Sequence, residues 1–121
     1  MSQIQELVNQ CHATALDKGF YDKTNEIIDV LGSHSELVTN YKKSEIAKRL
    51  MLITSELGEG MEADRDDNYG YEKKSSFEDE MADVFIRLFD LCGWMGIDID
   101  RQIKWKMGHN KTREKLHGKQ Y

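Results

Sequence analysis

The sequence predicts an all-α protein with a core of the four-helix-bundle type, made of antiparallel helices and completed by oligomerisation. Three observations support this fold class. No proline occurs among the 121 residues, so the chain holds no strong helix breaker of that kind. Apolar residues recur at helical spacing in several segments, and strands have no comparable support. The length fits a single domain, residues 1–121, small enough for a partner subunit to help bury its apolar surface.

A first helix is expected over about Gln3 to Lys18. Ser2 is a suitable N-cap because its hydroxyl can accept a hydrogen bond from a free backbone N–H, and Gly19 is a suitable terminator. Its apolar positions recur every three or four residues. They are Ile4, Leu7, Val8 and Cys11.

The segment from Phe20 to Tyr41 is less regular. It predicts a short helix over about Glu26 to Leu31, ended by Gly32, and a second, turn-rich piece over Ser35–Asn40. This part of the chain is the one whose structure follows least from its sequence.

A long third helix is expected from an N-cap at Ser44 to about Asp66, followed by a polar, glycine-containing loop over 66–75. Ser76 and Asp79 then form a start that resembles a capping box. The fourth helix reaches Cys92 or Met95.

Composition and charge exclude several functions. The net charge of −5 and the lack of a Lys/Arg-rich block argue against stable nucleic-acid binding. Cys11 and Cys92 lack the spacing that zinc or redox chemistry needs, which indicates reduced thiols. The N-terminal residues show neither a secretion signal nor a membrane segment, so we expect a cytoplasmic protein without membrane contact.

Two short acidic motifs carry the main functional signal. They are Glu56-Leu57-Gly58-Glu59 and Glu80-Met81-Ala82-Asp83. Residues three apart are neighbours on a helix surface, so each motif offers two oxygen ligands to one cation. Without a positive partner, the two carboxylates of each motif would repel each other.

The positions of these acids around their helices, at about 100° per residue, suggest that they converge. Apolar stripes are expected on the third helix at Ile46, Leu50, Ile53, Leu57 and Met61, and on the fourth at Phe77, Met81, Val84, Leu88, Leu91 and Met95. Glu56 and Glu59 lie to the same side of their stripe as Glu80 and Asp83 do of theirs. If the helices pack antiparallel through these stripes, as a short loop favours, all four carboxylates meet in one groove.

Oxygen ligands favour a hard cation, Mg²⁺ with Mn²⁺ as a substitute. A single ExxE motif would more often be a solvated acidic face, but matched pairs on matched faces favour metal binding. A di-iron bundle would need His three residues after Glu on two helices, and neither motif has one. An EF-hand starting at Asp64 would need Gly and Glu where the chain has Tyr69 and Ser75.

A final helix is expected from Asp98 or Asp100 to Arg113. Its inward face starts at Ile99 and Ile103 and then becomes polar. The polar positions are Lys106, Asn110 and Arg113. They could bind the phosphates of a triphosphate, or they could pair with acidic side chains of the same protein; the sequence leaves both open.

Aromatic residues are candidates for stacking on a base, although most aromatics belong to cores or interfaces. The candidates are Phe20, Tyr21, Tyr69, Tyr71 and Trp94. A second apolar strip on the fourth helix, formed by Ala82, Ile86 and Phe89, suggests a subunit interface.

Five segments together resemble one family. They are Ser55-Glu56-Leu57-Gly58-Glu59, Phe77-Glu78-Asp79-Glu80-Met81-Ala82-Asp83, Asn110-Lys111-Thr112-Arg113, His117-Gly118-Lys119 and Lys18-Gly19-Phe20-Tyr21-Asp22. The pattern resembles the all-α nucleoside triphosphate pyrophosphohydrolases of the MazG-like group, relatives of dimeric dUTPases and dCTP pyrophosphatases. It covers most of the chain except about residues 23 to 44.

The resemblance implies Mg²⁺ binding by Glu56, Glu59, Glu80 and Asp83, and phosphate contacts from Lys106, Asn110 and Arg113. It also implies a homodimer or homotetramer on a four-helix core, with a nucleoside triphosphate (NTP or dNTP) as substrate and a role in clearing the nucleotide pool. The family pattern does not specify the base or the sugar of the substrate.

The expected reaction is hydrolysis to nucleoside monophosphate and pyrophosphate, with in-line attack of water at the α-phosphorus. Glu59 or Glu56 would orient or deprotonate that water. Two other functions use the same residues without catalysis: a helical regulator or adaptor that Mg²⁺ stabilises, and a module that binds a nucleotide without cleaving it.

Overall fold

The computed structural model describes residues 1–119 and consists of helices joined by short connections. The helices are α1 (Gln3–Asp17), α2 (Asp22–Leu31), α3 (Ser35–Arg65), α4 (Phe77–Met95) and α5 (Ile99–Lys111), followed by a 3₁₀ turn at Lys115–Gly118. No strand occurs within the described part of the chain. The all-α prediction is confirmed; of the expected C-terminal tail, Gln120 and Tyr121 lie outside the described residues.

The N-caps predicted at Ser2 and Ser76 are present, and Asp98, one of the two residues at which the last helix was expected to begin, is a third. The Ser2 hydroxyl accepts a hydrogen bond from the backbone N–H of Gln5 at 3.1 Å, and the Ser76 hydroxyl accepts one from that of Asp79 at 3.2 Å. The Asp98 carboxylate does the same for the first turn of α5. Each cap satisfies a backbone donor that has no partner inside its helix.

The middle of the chain differs from its prediction. α3 is one helix of 31 residues that begins at Ser35, so the separate turn-rich piece and the N-cap at Ser44 were wrong. The Ser44 hydroxyl instead donates to the carbonyl of Asn40 at 3.2 Å, an arrangement that a serine inside a helix can adopt. No Gly or Pro lies between Ser35 and Ser44, so no residue type that commonly ends a helix interrupts the first turns of α3. α2 likewise begins at Asp22, earlier than expected.

α4 is the central helix and runs antiparallel to both α1 and α3. Toward α3, Arg87 lies opposite Glu56. Toward α1, Asp90 lies opposite His12. α2 packs along α3, and α5 packs along α1. The chain by itself therefore surrounds its core with three helices rather than four.

The core of the single chain is small. Ile53, Val84 and Leu91 are buried at its centre, and Met81 and Trp94 pack against them. The apolar stripe predicted for α3 is only partly inside, because α3 is rotated so that Glu56 and Gly60 face α4. Three members of that stripe, Leu50, Leu57 and Met61, are 46–64% exposed.

No helix within residues 1–119 combines the length and the apolar character that crossing a membrane requires.

Candidate metal and phosphate site

Carboxylates from α3 and α4 meet where the two helices cross. Glu56, Glu59 and Glu80 each place one oxygen within 4.8 Å of the others. Asp79, Glu80 and Asp83 form a second group by the same measure, and Glu80 belongs to both. The four acids singled out from the sequence thus lie in two groups that share Glu80. Asp79 is a fifth acid, which belongs to the second group.

A glycine allows the helices to approach closely at this point. A Cβ atom on Gly60 would lie 2.7 Å from the Cε atom of Met81 and 3.8 Å from the Cβ atom of Glu80. Because Gly60 has no side chain, α4 packs close to the backbone of α3, beside Glu56 and Glu59. The tight crossing brings the acidic side chains of the two helices within reach of a single cation.

Glu80 lies deepest among these acids. Its side chain is 5% exposed, and its Oε2 atom has no hydrogen-bond partner among the described residues. Burial, followed by the neighbouring carboxylates of Glu59 and Glu56, raises the pKa of Glu80 from 4.5 to about 7. An ionised carboxylate in such a place is costly unless a proton or a cation accompanies it.

Glu56 has a cationic partner. The Nε atom of Arg87 donates to its Oε1 atom at 3.0 Å. Burial alone would raise the pKa of Glu56, but the hydrogen bond from Arg87, with further help from neighbouring carboxyl groups, holds it below its ordinary value. Two acids of one cluster are therefore biased in opposite directions, Glu56 toward the charged form and Glu80 toward the neutral form.

Asp83 and Asp79 extend the cluster along α4. Burial, followed by the charges of Glu56 and Asp79, raises the pKa of Asp83. Asp79 also helps to start the helix, because one of its oxygens accepts a hydrogen bond from the backbone N–H of Ser75 at 2.8 Å. The sequence singled out Asp79 only as a capping residue. Its spacing of four residues from Asp83 was the signal that could have placed it beside the predicted metal ligands.

A pocket of about 720 Å³ opens beside the acids, between α1, α3 and α4. Glu56 and Asp83 lie in its wall together with three cationic side chains. These cations are Lys48, Arg49 and Arg87. None of them was singled out from the sequence, although Arg87 follows Asp83 by one helical turn.

A buried polar network adjoins this pocket. The Tyr21 hydroxyl donates to one oxygen of Asp90 at 3.0 Å, and His12 Nδ1 lies 2.9 Å from the other. The guanidinium of Arg49 sits 3.9 Å from the centre of the Tyr21 ring and 3.5 Å from a Glu45 oxygen. The network connects α1, α3 and α4 with Tyr21, which directly precedes α2.

The aromatic residues predicted to stack on a base occupy different environments. Phe20 is 71% exposed and lines the pocket. Tyr21 is 1% exposed, with Arg49 over its ring, and Trp94 packs beside it at 5.7 Å between ring centres. Of the five aromatic candidates, Phe20 is therefore the one that lines the pocket; Tyr21, Tyr69, Tyr71 and Trp94 do not.

The polar residues predicted for the last helix lie in and just after α5, which ends at Lys111 and not at Arg113 as expected. Lys106, Asn110 and Arg113 are all exposed, and none of them lines the pocket. α5, which carries Lys106 and Asn110, packs along α1. The inward face expected from Ile99 and Ile103 ends before it reaches them.

No family model, curated protein or solved structure matches this chain. Its function is therefore inferred from the residues that meet at the crossing of α3 and α4. They combine oxygen ligands, a buried carboxylate oxygen without a partner, and a pocket whose wall carries both acids and cations.

Proposed function

We propose that the protein is a Mg²⁺-dependent nucleoside triphosphate pyrophosphohydrolase, which converts an NTP or dNTP to nucleoside monophosphate and pyrophosphate. The observation that carries the proposal is the position of Glu80. Its side chain is buried, its Oε2 atom has no hydrogen-bond partner among the described residues, and one of its two oxygens lies within 4.8 Å of oxygens from Glu56 and Glu59. Such an arrangement is stable with a cation between the carboxylates and strained without one.

The donor set fits a hard divalent cation. Glu56, Glu59, Glu80 and Asp83 would hold Mg²⁺, or Mn²⁺ in its place, because all offer carboxylate oxygens and no nitrogen or sulfur ligand lies in either group. When bound, such a cation supplies positive charge that neutralises phosphate oxygens and makes water more acidic.

In the proposed reaction, the oxygen of a water molecule bonds to the α-phosphorus while the bond from that phosphorus to the bridging oxygen breaks. Pyrophosphate leaves with the bonding electrons, and a carboxylate takes the proton of the water. Glu59 is better placed for that step than Glu56, because Glu59 is exposed at the edge of the cluster and Glu56 is buried and bonded to Arg87.

The exposed apolar surface supports an oligomer, a homodimer or homotetramer, as part of the proposal. α4 leaves Ile86, a member of the strip predicted to be an interface, 50% exposed, and the neighbouring Phe85 57% exposed. On α3, Leu50, Leu57 and Met61 are exposed as well. A second copy that covers these residues would complete a four-helix core. It would also allow the side chains of Lys106, Asn110 and Arg113 to approach the acids of the partner subunit.

The same proposal places the chain in the MazG-like group that its acidic motifs resemble, acting in the cytoplasm on the nucleotide pool. Two features of the fold support it: α3 and α4 are antiparallel across a short loop, and their ExxE and ExxD motifs face the same crossing. Phe20 and the pocket beside it are the candidates for contact with the base.

The experiment is a panel of NTPs and dNTPs incubated with Mg²⁺, with release of pyrophosphate as the readout. We expect at least one nucleotide to be hydrolysed, and Glu59→Gln and Asp83→Asn to abolish the reaction while the helical circular dichroism is unchanged. Glu62→Gln is the matched control, since Glu62 is exposed on the same helix and belongs to neither acid group. A wild-type protein that melts later with Mg²⁺ but cleaves no nucleotide would be a regulator instead of an enzyme.

A further inference from the structure

Arg87 is bonded to the acid cluster through Glu56, and the function proposed above gives this arginine no role. We infer that Arg87 is a phosphate-binding residue that is held by Glu56 in the ligand-free protein and moves to a phosphate of the nucleotide when the acids hold a cation. The inference rests on the proposed function, because it needs the cluster to bind both a cation and a nucleotide.

The contacts of Arg87 leave most of its donors available. Its Nε atom donates to Glu56 at 3.0 Å, and among residues 1–119 no hydrogen bond is found for its two terminal nitrogens. The Arg87 side chain is 41% exposed, whereas that of Glu56 is 12% exposed. The guanidinium is therefore partly in the pocket and partly in solvent, where a ligand can reach it.

The position of Arg87 along α4 fits a ligand that starts at the acids. Arg87 follows Asp83 by four residues, about 6 Å along the helix axis, and both line the same pocket. A phosphate chain that begins near Asp83 would therefore pass the guanidinium. The planar guanidinium can give a phosphate two parallel hydrogen bonds, a geometry that a single carboxylate contact through Nε does not use.

Electrostatics explain why one residue can serve both partners in turn. Without a ligand, the cluster has several carboxylates and Arg87 is the positive group bonded to it. A cation held by Glu56 would compete with the guanidinium for the same carboxylate oxygens. The two positive charges would also repel each other. A phosphate is then the strongest available partner for Arg87.

A purely structural ion pair makes a different prediction from this exchange. If Arg87 only stabilised the fold, its loss would weaken the binding of both metal and nucleotide. It would also lower the melting temperature. If Arg87 competes with the cation and then binds phosphate, its loss changes the two affinities in opposite directions.

The test measures each affinity alone. Free Mn²⁺ is counted by electron paramagnetic resonance without nucleotide, and the α,β-methylene analogues of the four common ribonucleoside triphosphates are titrated at saturating Mn²⁺. For Arg87→Ala we expect Mn²⁺ to bind about two- to fivefold more tightly, the scale of a half-exposed ion pair. We expect analogue binding to weaken by about tenfold or more, the scale of a lost charged hydrogen bond.

Two further variants separate charge from geometry. Arg87→Lys keeps the charge, so we expect Mn²⁺ affinity near the wild-type value and analogue affinity between those of wild type and Arg87→Ala. Arg101→Ala, which removes the same charge from an exposed position on α5, is expected to change neither affinity.

The inference is overturned if Arg87→Ala leaves analogue affinity unchanged, or if it weakens Mn²⁺ and analogue binding together. If Arg87→Ala does not fold, an unchanged analogue affinity in Arg87→Lys overturns it. Pyrophosphate release by the wild type is measured separately, so these results would not contradict the proposed function. A wild type that binds no analogue and cleaves no nucleotide would contradict both the role of Arg87 and the proposed function.

Discussion

Glu56 and Glu80 belong to different helices, yet their carboxylate oxygens lie within 4.8 Å of each other. Arg87 neutralises Glu56 through a hydrogen bond of 3.0 Å, and the Oε2 atom of Glu80 has no such partner among the described residues. A proton on Glu80 reduces the repulsion between these carboxylates. The stability of the metal-free protein should therefore depend on pH.

The first prediction concerns this pH dependence. The pKa of Glu80 is raised from 4.5 to about 7 in the folded chain. Between these values the folded state binds more protons than the unfolded state, so stability falls as pH rises from about 4.5 to about 7. The lowered pKa of Glu56 acts below this window. Thermal melting in the presence of a chelator should show the fall.

The control for this prediction is Glu80→Gln, which carries no proton to lose. Its melting temperature should change less between pH 4.5 and 7, and it should exceed that of the wild type at pH 8 without metal. Parallel curves for the two proteins over this range would show that Glu80 titrates near its ordinary pKa.

The packing of α1 on α4 gives the second prediction. A Cβ on Gly93 would lie 2.7 Å from the Cβ and 3.0 Å from the Cγ of His12, a residue held in place by Asp90. Gly108 is also helical, and a Cβ there would meet nothing within 4 Å. Both changes to Ala gain helix propensity, but only Gly93→Ala overpacks its site.

We therefore expect Gly93→Ala to be less stable than Gly108→Ala by about 1–3 kcal/mol in urea unfolding. Equal stability of the two variants would mean that α1 and α4 are further apart than described.

The third prediction concerns the proposed oligomer. Phe85 is 57% exposed in the single chain and packs against Phe89 at 5.9 Å between ring centres. Phe85→Glu should leave the helix content unchanged and reduce the mass seen in sedimentation to that of one chain, because a charge cannot be buried in the interface. Phe85→Leu is the matched control and should keep the wild-type mass. A monomeric wild type would contradict the proposal.

Local patterns predicted the parts of the fold that depend on neighbours along the chain. The N-caps at Ser2 and Ser76 and the spacing of the acids along each helix follow from short-range hydrogen bonding and helical periodicity. The false N-cap at Ser44 shows the limit of such patterns, since a serine can start a helix or lie within one.

Other features depend on contacts between helices and could not be read from one helix at a time. The rotation of α3 turns Glu56 inward and leaves Leu57 46% exposed, although an apolar stripe predicts the reverse for Leu57. The ion pair between Arg87 and Glu56 spans 31 residues of sequence. Its only local sign was the spacing of Arg87 from Asp83.

The most direct measurement is a crystal structure of the protein grown with Mn²⁺, with the anomalous scattering of manganese used to locate the ion. We predict a peak at the crossing of α3 and α4, with oxygens of Glu80 and of at least two of Glu56, Glu59 and Asp83 at about 2.2 Å from the ion, a typical metal–oxygen distance. A peak elsewhere, or no peak with Glu80 still unpartnered, would contradict this prediction.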